Sequence, residues 1–312
     1  MRAIVCSPDA LDRIEFRDVP EPDPATDECV IAVEAVSLNR GELRRLGWAA
    51  DGWRPGYDLA GVVERTSDDG EGPPVGTRVI GLLQNGSWAE RVAVPSRYVA
   101  TIPDGLDAPR ASTVPVAGLT SLAALAHGAP LLGKRVLITG AAGGVGRFAI
   151  QLATLMGARV TGLVGGPERG AGLAEIGAEE VVHELAADGP VFELIVESVG
   201  GEVLGAALAR LARDGCLVSI GGSSDRPTTF DGLAFARKGP IRMVGMQLFS
   251  ELERRGMDRR EMAILLELVA TGELDPQIDR VASWREMGSL LRDLGDRRIA
   301  GKAVALVDEA GG

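Results

Sequence analysis

Apolar positions along this chain fall into two textures. Over residues 1–115 they come in short runs rich in Val, Ile and aromatic residues: 29–36 (CVIAVEAV), 61–65, 78–83 and 88–94. Clusters of Pro, Gly and Asp separate the runs, and 20–26 and 68–76 read as plain loops. Many short strands at this spacing predict a barrel-like β domain. After Pro115 strand-like runs alternate with helix-like segments. Strands are expected at 135–139, 159–164, 192–196, 216–220 and 241–246, and helices at 144–156, 167–176 and 202–210. Such alternation predicts βαβ units and a parallel sheet, hence an α/β fold class. Residues 261–271 and 284–294 look helical, and 302–307 (KAVALV) reads as a final strand.

The length of 312 residues suits two domains of ordinary size. No apolar run reaches the roughly 18–20 residues of a membrane span, so no membrane partner is expected. The sequence opens Met-Arg-Ala-Ile-Val-Cys into a strand-like pattern without a charged leader or apolar core, and a cytoplasmic location is expected. A net charge of −11 argues against a nucleic-acid partner, whose phosphates need clustered Lys and Arg. Cys6, Cys29 and Cys216 are scattered and odd in number, which disfavours a disulfide scaffold. The two histidines, His127 and His183, join no Cys/His cluster with zinc-ligand spacing, so no metal site is expected.

The most informative stretch is Val136-Leu137-Ile138-Thr139-Gly140-Ala141-Ala142-Gly143-Gly144-Val145-Gly146, a buried strand running through a glycine-rich turn into a helix. Ala141, Gly143 and Gly146 occupy the three fixed places of G-x-G-x-x-G. At the second place a missing side chain lets backbone approach a pyrophosphate, and at the third it lets helix pack on strand. The helix N-terminus adds free N–H groups and partial positive charge. Dinucleotide binding is the expected role. The second strand ends in Gly165-Gly166-Pro167-Glu168-Arg169, with no carboxylate at its tip to hold a ribose 2′-OH. Arg169 is either a partner for a 2′-phosphate or a solvated residue in a first helical turn, and Glu168 would favour a free 2′-OH. The balance points to NADPH before NADH.

Three further motifs precede the glycine turn: Leu38-Asn39-Arg40-Gly41-Glu42-Leu43, Pro55-Gly56-Tyr57-Asp58-Leu59-Ala60-Gly61-Val62-Val63 and Pro115-Val116-Ala117-Gly118-Leu119-Thr120-Ser121. Gly301-Lys302-Ala303-Val304 follows it. In order and spacing the series resembles the zinc-independent, quinone oxidoreductase-like branch of the medium-chain dehydrogenase/reductase superfamily, including the enoyl reductase domains of polyketide synthases. The resemblance implies a GroES-like catalytic β domain (1–115 and 272–312), a Rossmann cofactor domain with a doubly wound parallel sheet (116–271), and cofactor in the cleft between them. Zinc-dependent relatives carry a Cys near Asn39 and a Gly-His-Glu where Gly56-Tyr57-Asp58 stand; the Cys and the His are missing here, so no zinc is expected.

The reaction implied is conjugate reduction of an apolar small molecule: hydride from NADPH to a quinone, enone or enoyl acceptor, with the protein stabilising the developing enolate oxygen. Asn39 matches a polar position facing the nicotinamide ribose and substrate, against a plain turn-forming Asn. Tyr57 is either a phenolic donor to a carbonyl or a packed ring. Thr120 lies near the nicotinamide end in similar enzymes, although Thr120 and Ser121 also read as helix-opening caps. Trp48 and Trp53 flank a loop and either wall the substrate pocket or anchor the loop. Ser198, Val199, Gly221, Gly222 and Leu248 sit at strand ends expected to border the cofactor. Lys302 is expected either near the cofactor or as a surface lysine. Two other readings stand beside this one: a non-catalytic NADPH-binding sensor or structural protein, and a specialised biosynthetic reductase of a natural-product intermediate. The strand at 241–246, if at a sheet edge, suggests a homodimer.

Overall fold

The computed structural model describes residues 1–186 and 188–308, and the chain divides into two compact units, Met1–Ala117 with Met257–Gly312, and Gly118–Gly256. In the first unit, β1 (Arg2–Cys6) and β2 (Ile14–Asp18) form an antiparallel pair. A second sheet takes β3 (Glu28–Ser37), β4 (Asp58–Arg65), β5 (Arg78–Leu82), β6 (Arg91–Pro95) and β7 (Val99–Thr101), joined late in the chain by β14 (Ile278–Ser283) and β15 (Lys302–Leu306). The order is β14-β15-β3-β4-β5-β7, with β6 also on β3. β3 serves three neighbours because it is 10 residues long and slips register between Val30 and Ile31 and between Val33 and Ala35. Irregularities of this kind bend a strand and turn its edges toward different partners.

Alternate residues Cys29, Ile31 and Val33 enter a core with Leu59, Val79, Trp88 and Val92, as the two-residue strand period dictates. Trp284 meets Phe16 edge-on at 4.9 Å within the same unit. Truncating so buried an indole costs about 3–5 kcal/mol. Two short helices, α1 (Arg40–Leu46) and α2 (Ala108–Ser112), connect strands. The later α8 (Arg259–Ala270) buries Met262, Leu265, Leu266 and Val269, and α9 (Met287–Gly295) buries Met287, Leu290, Leu291 and Leu294. Both follow the i, i+3, i+4, i+7 spacing of a one-faced helix. α8 goes with the first unit, where Arg110 of α2 donates to the Val269 carbonyl at 3.3 Å; the expected boundary at 271/272 had set it with the second.

The second unit is a six-stranded, all-parallel sheet of β8 (Arg135–Thr139), β9 (Arg159–Leu163), β10 (Glu180–Val182), β11 (Phe192–Glu197), β12 (Leu211–Ser219) and β13 (Arg242–Gly245). Its order, β10-β9-β8-β11-β12-β13, is that of a doubly wound dinucleotide-binding sheet. The inner strands are apolar without alternation: Val136, Leu137 and Ile138, then Leu194, Ile195 and Val196, are at most 1% exposed, as both-sided covering requires. Helices α3 (Val114–Leu125), α4 (Gly144–Leu155), α5 (Gly201–Ala209), α6 (Gly232–Arg237) and α7 (Leu248–Arg255) complete the chain order. Phe148 and Ile150 of α4 and Ala207 of α5 are fully buried.

Several expectations change. The helix expected at 167–176 shrinks to a 3-10 turn, Pro167–Gly170, because it ends on Gly170, and Gly172 beyond it takes φ +76°. Thr120 and Ser121 do not open a helix; they lie inside α3, which starts at Val114. The strand expected at 88–94 begins only at Arg91. Leu248 begins α7 rather than ending a strand.

Candidate functional site

In the second unit, the expected phosphate cradle is built by β8 and α4. Gly140 leaves the strand at φ +61°, and a Cβ there would lie 2.4 Å from Ser198 Oγ. Ala141, Ala142 and Gly146 are buried, whereas Gly143, Gly144 and Val145 are partly open. A Cβ on Gly146 would stand 2.6 Å from the Gly140 carbonyl and 2.7 Å from Ala141, so helix seats directly on turn. A Cβ on Gly143 would meet nothing nearer than 3.4 Å. Gly143 is the N-cap of α4 and offers no capping side chain. The N–H groups of Gly144, Val145 and Gly146 point out of the first helical turn with no intrahelical carbonyl to take them. Space, direction and charge therefore fit a pyrophosphate.

The neighbouring strand ends are tied to this turn. Ser198 donates its hydroxyl to the Thr139 carbonyl at 3.0 Å and takes its backbone place from Thr139 Oγ1, which accepts the Ser198 N–H at 2.9 Å. Glu197 is fully buried; its Oε1 accepts the N–H groups of Val199 at 2.7 Å and Gly200 at 2.9 Å. Burial pushes this carboxyl above its ordinary pKa. Ser223 and Ser224 donate back to the carbonyls of Ser198 and Val199 at 3.1 and 2.8 Å, which draws Gly221 and Gly222 to the same spot. Ser121 joins α3 to the start of α4 through the Val145 carbonyl at 2.9 Å, and Thr120 beside it is 7% exposed. Gly165 faces open space, and Arg169, half-buried, lies within the 3-10 turn after β9. Leu248 is half-buried at the start of α7.

In the first unit, Asn39, Tyr57 and Lys302 come together around two acids that sequence reading passed over. Lys302 is 2% exposed, which overturns its reading as a surface lysine. Its Nζ donates to Asn39 Oδ1 at 2.8 Å and to the Leu38 carbonyl at 3.0 Å, and lies 3.4 Å from Asp58 Oδ2. Asn39 Nδ2 donates to Asp58 at 2.9 Å. Glu42, three residues into α1, accepts the Asn39 N–H at 2.6 Å and the Tyr57 N–H at 2.9 Å. Burial, then the charge of Asp58, lifts Glu42 to about 8, against the pull of its hydrogen bonds and Lys302. An Asn with Glu three residues on is a helix-start signature, the one local signal that could have flagged Glu42.

Tyr57 lies against α1, and it fits because Gly41 has no side chain: a Cβ there would be 3.1 Å from the ring and 3.2 Å from its hydroxyl. Burial, then the charge of Glu42, lifts the phenol to about 12, so it stays protonated and able to donate. Trp48 and Trp53 share one cation: the Arg45 guanidinium lies 4.2 Å from the first ring centre and 5.5 Å from the second. Trp48 is 64% exposed and Trp53 partly buried. Among the described residues no group of His, Cys, Asp and Glu has the makings of a metal site.

Comparison with known proteins follows the same division. Residues 25–104 match the alcohol dehydrogenase GroES-like domain and residues 144–265 the zinc-binding dehydrogenase family. The chain is 28% identical over 328 residues to a mycocerosic acid synthase-like polyketide synthase of Mycobacterium tuberculosis, covering all of this chain and 16% of the synthase. It thus spans about one sixth of that relative's length. Among solved structures, a quinone oxidoreductase from Coxiella burnetii is 26% identical with a TM-score of 0.85, covering 99% of both chains. A mycobacterial protein complexed with NADPH is 25% identical with a TM-score of 0.87, covering 98% of this chain and all of the other. The two domain matches, the sheet order and whole-length likeness to a quinone oxidoreductase agree: the chain belongs to the quinone oxidoreductase-like branch of the medium-chain dehydrogenase/reductase superfamily of oxidoreductases.

Proposed function

We propose that the chain is an NADPH-dependent reductase of a quinone, enone or enoyl acceptor and works without zinc. The observation that carries this is the uncapped start of α4 beneath a turn kept bare by Gly143. The backbone from Gly140 to Gly146 would hold the pyrophosphate, with Ser198, Val199, Gly221 and Gly222 bordering it. NADPH, once bound, supplies the hydride. The solved NADPH complex of a relative supports the choice of coenzyme, and Arg169 is the residue proposed to meet the 2′-phosphate.

Tyr57 is the proposed donor to the acceptor's carbonyl. Its pKa of about 12 leaves it a hydrogen-bond donor at any working pH. A charge growing on that oxygen is stabilised best by a donor already in place. Asn39 supports this end by holding the turn, since its amide is engaged with Lys302 and Asp58. Trp48, Trp53 and Arg45 are proposed to face the acceptor's apolar part. The zinc-free reading rests on donor chemistry. Tyr57 stands where a histidine ligand would be needed, and the Asp58 carboxylate is matched by the Lys302 ammonium.

Further parts of the reading are a cytoplasmic location and a homodimer. No helix of the described residues is long and apolar enough to cross a membrane. β13 ends its sheet and leaves Met243 51% exposed, which favours pairing with a second copy. The test of function is calorimetry with NADPH and NADH, followed by NADPH oxidation with a small enone and phenanthrenequinone. Binding with turnover is expected. Tight binding with no turnover across an acceptor panel would favour a sensor instead.

A further inference from the structure

Lys302 carries three ammonium protons, and the chain supplies three acceptors for them: Leu38 O, Asn39 Oδ1 and Asp58 Oδ2. An ammonium so used has no proton left for a phosphate. The same geometry fixes the Asn39 amide. Its oxygen faces the ammonium and its nitrogen faces the carboxylate, so turning it over would set like against like at both ends. Asp58 is equally committed: Oδ2 accepts from Ser37, Asn39 and Lys302, and Oδ1 accepts the Val116 N–H at 2.9 Å. Beyond Asn39, Glu42 bridges the backbone of Asn39 to the backbone of Tyr57.

We infer that Lys302 is a positioning residue and not a coenzyme ligand. With Asp58 it locks Asn39, and the Glu42 bridge carries that lock to the segment bearing the Tyr57 ring. The inference rests on the reading of Tyr57 as donor to the acceptor. It assigns the C-terminal Gly-Lys segment to orientation of the acceptor end of the reaction.

The experiment compares Lys302→Met, and Lys302→Met with Asp58→Asn so that no buried charge is left alone, each with Tyr57 intact and with Tyr57→Phe. NADPH affinity is read by calorimetry, and kcat and KM by enone reduction. The NADPH dissociation constant is expected to hold within about twofold while kcat falls about tenfold to hundredfold. In the Tyr57→Phe background the further fall should shrink to about twofold, because both changes act through one phenol. Lys302→Arg keeps the buried charge without the same three-acceptor fit, and it should also lose kcat. A weakened NADPH affinity with kcat preserved would make Lys302 a coenzyme ligand and overturn the inference. So would a kcat loss of equal size in the presence and absence of the phenol. Failure of the unmodified chain to bind NADPH or to turn over any acceptor would instead remove the reductase reading itself, and the inference with it.

Discussion

Glu42 and Tyr57 are joined by one hydrogen bond, in which a fully buried carboxyl group accepts a backbone N–H at 2.9 Å. Burial lifts that carboxyl from its ordinary 4.5 to about 8. A raised folded-state pKa means that the group's contribution to stability is full below about 4.5 and is lost as pH rises through 8. Denaturant unfolding from pH 5 to about 9 should therefore show stability falling by on the order of a few kcal/mol. Glu42→Gln should flatten that slope. An unchanged slope in the variant would assign the titration to another group.

Gly143 and Gly146 separate binding from folding. Gly146→Ala drives a Cβ to 2.6 Å from the Gly140 carbonyl and should lower the melting temperature as well as NADPH affinity. Gly143→Ala meets nothing closer than 3.4 Å, so melting should hold while NADPH affinity drops about tenfold or more. Equal melting losses in both would show that neither glycine is kept open for a ligand.

Arg169 is the residue proposed to discriminate between coenzymes. Arg169→Ala should weaken NADPH about tenfold to hundredfold, as loss of a charge-assisted phosphate contact does, and leave NADH unchanged. Calorimetry with both coenzymes reads this directly, and equal weakening of the two would refute a 2′-phosphate contact.

Glu251 is the acid-side counterpart of Glu42. Arg254 at 2.6 and 2.9 Å, then Arg255, hold its carboxyl down at about 2, and His127 lies 2.9 Å away. A lowered pKa gives stability that is present above about 4.5 and lost as pH falls toward 2. Glu251→Gln should cost about 1–3 kcal/mol near neutrality, measured by denaturant unfolding, and the cost should vanish in acid.

What was legible in the sequence follows the physics of burial. Strands β8, β9 and β11 were expected within a residue of their observed bounds, because a parallel strand covered on both faces must be apolar throughout. β10 escaped: three residues, Glu180–Val182, none fully buried, carry too little pattern. The helix expected at 167–176 does not form because Gly170 and Gly172 break it despite its apolar spacing. The meeting of Lys302 with Asn39 and Asp58 was hidden for a different reason. Lys302 meets Asn39 across 263 residues and Asp58 across 244, and no local period encodes such a meeting.

The interrupted course of the first unit has a consequence during synthesis. Trp284, Leu290, Leu291, Ile299, Ala303 and Ala305, all after Met257, enter a core whose other part comes from residues before Ala117. A ribosome that has released residues 1–256 has emitted every strand of the parallel sheet, yet the earlier sheet still lacks its last strands and Asp58 still lacks its counter-charge. Residues 118–256 thus hold every strand of their own sheet before β14 and β15 are made, and the first unit's core cannot close until the segment after Met257 joins it.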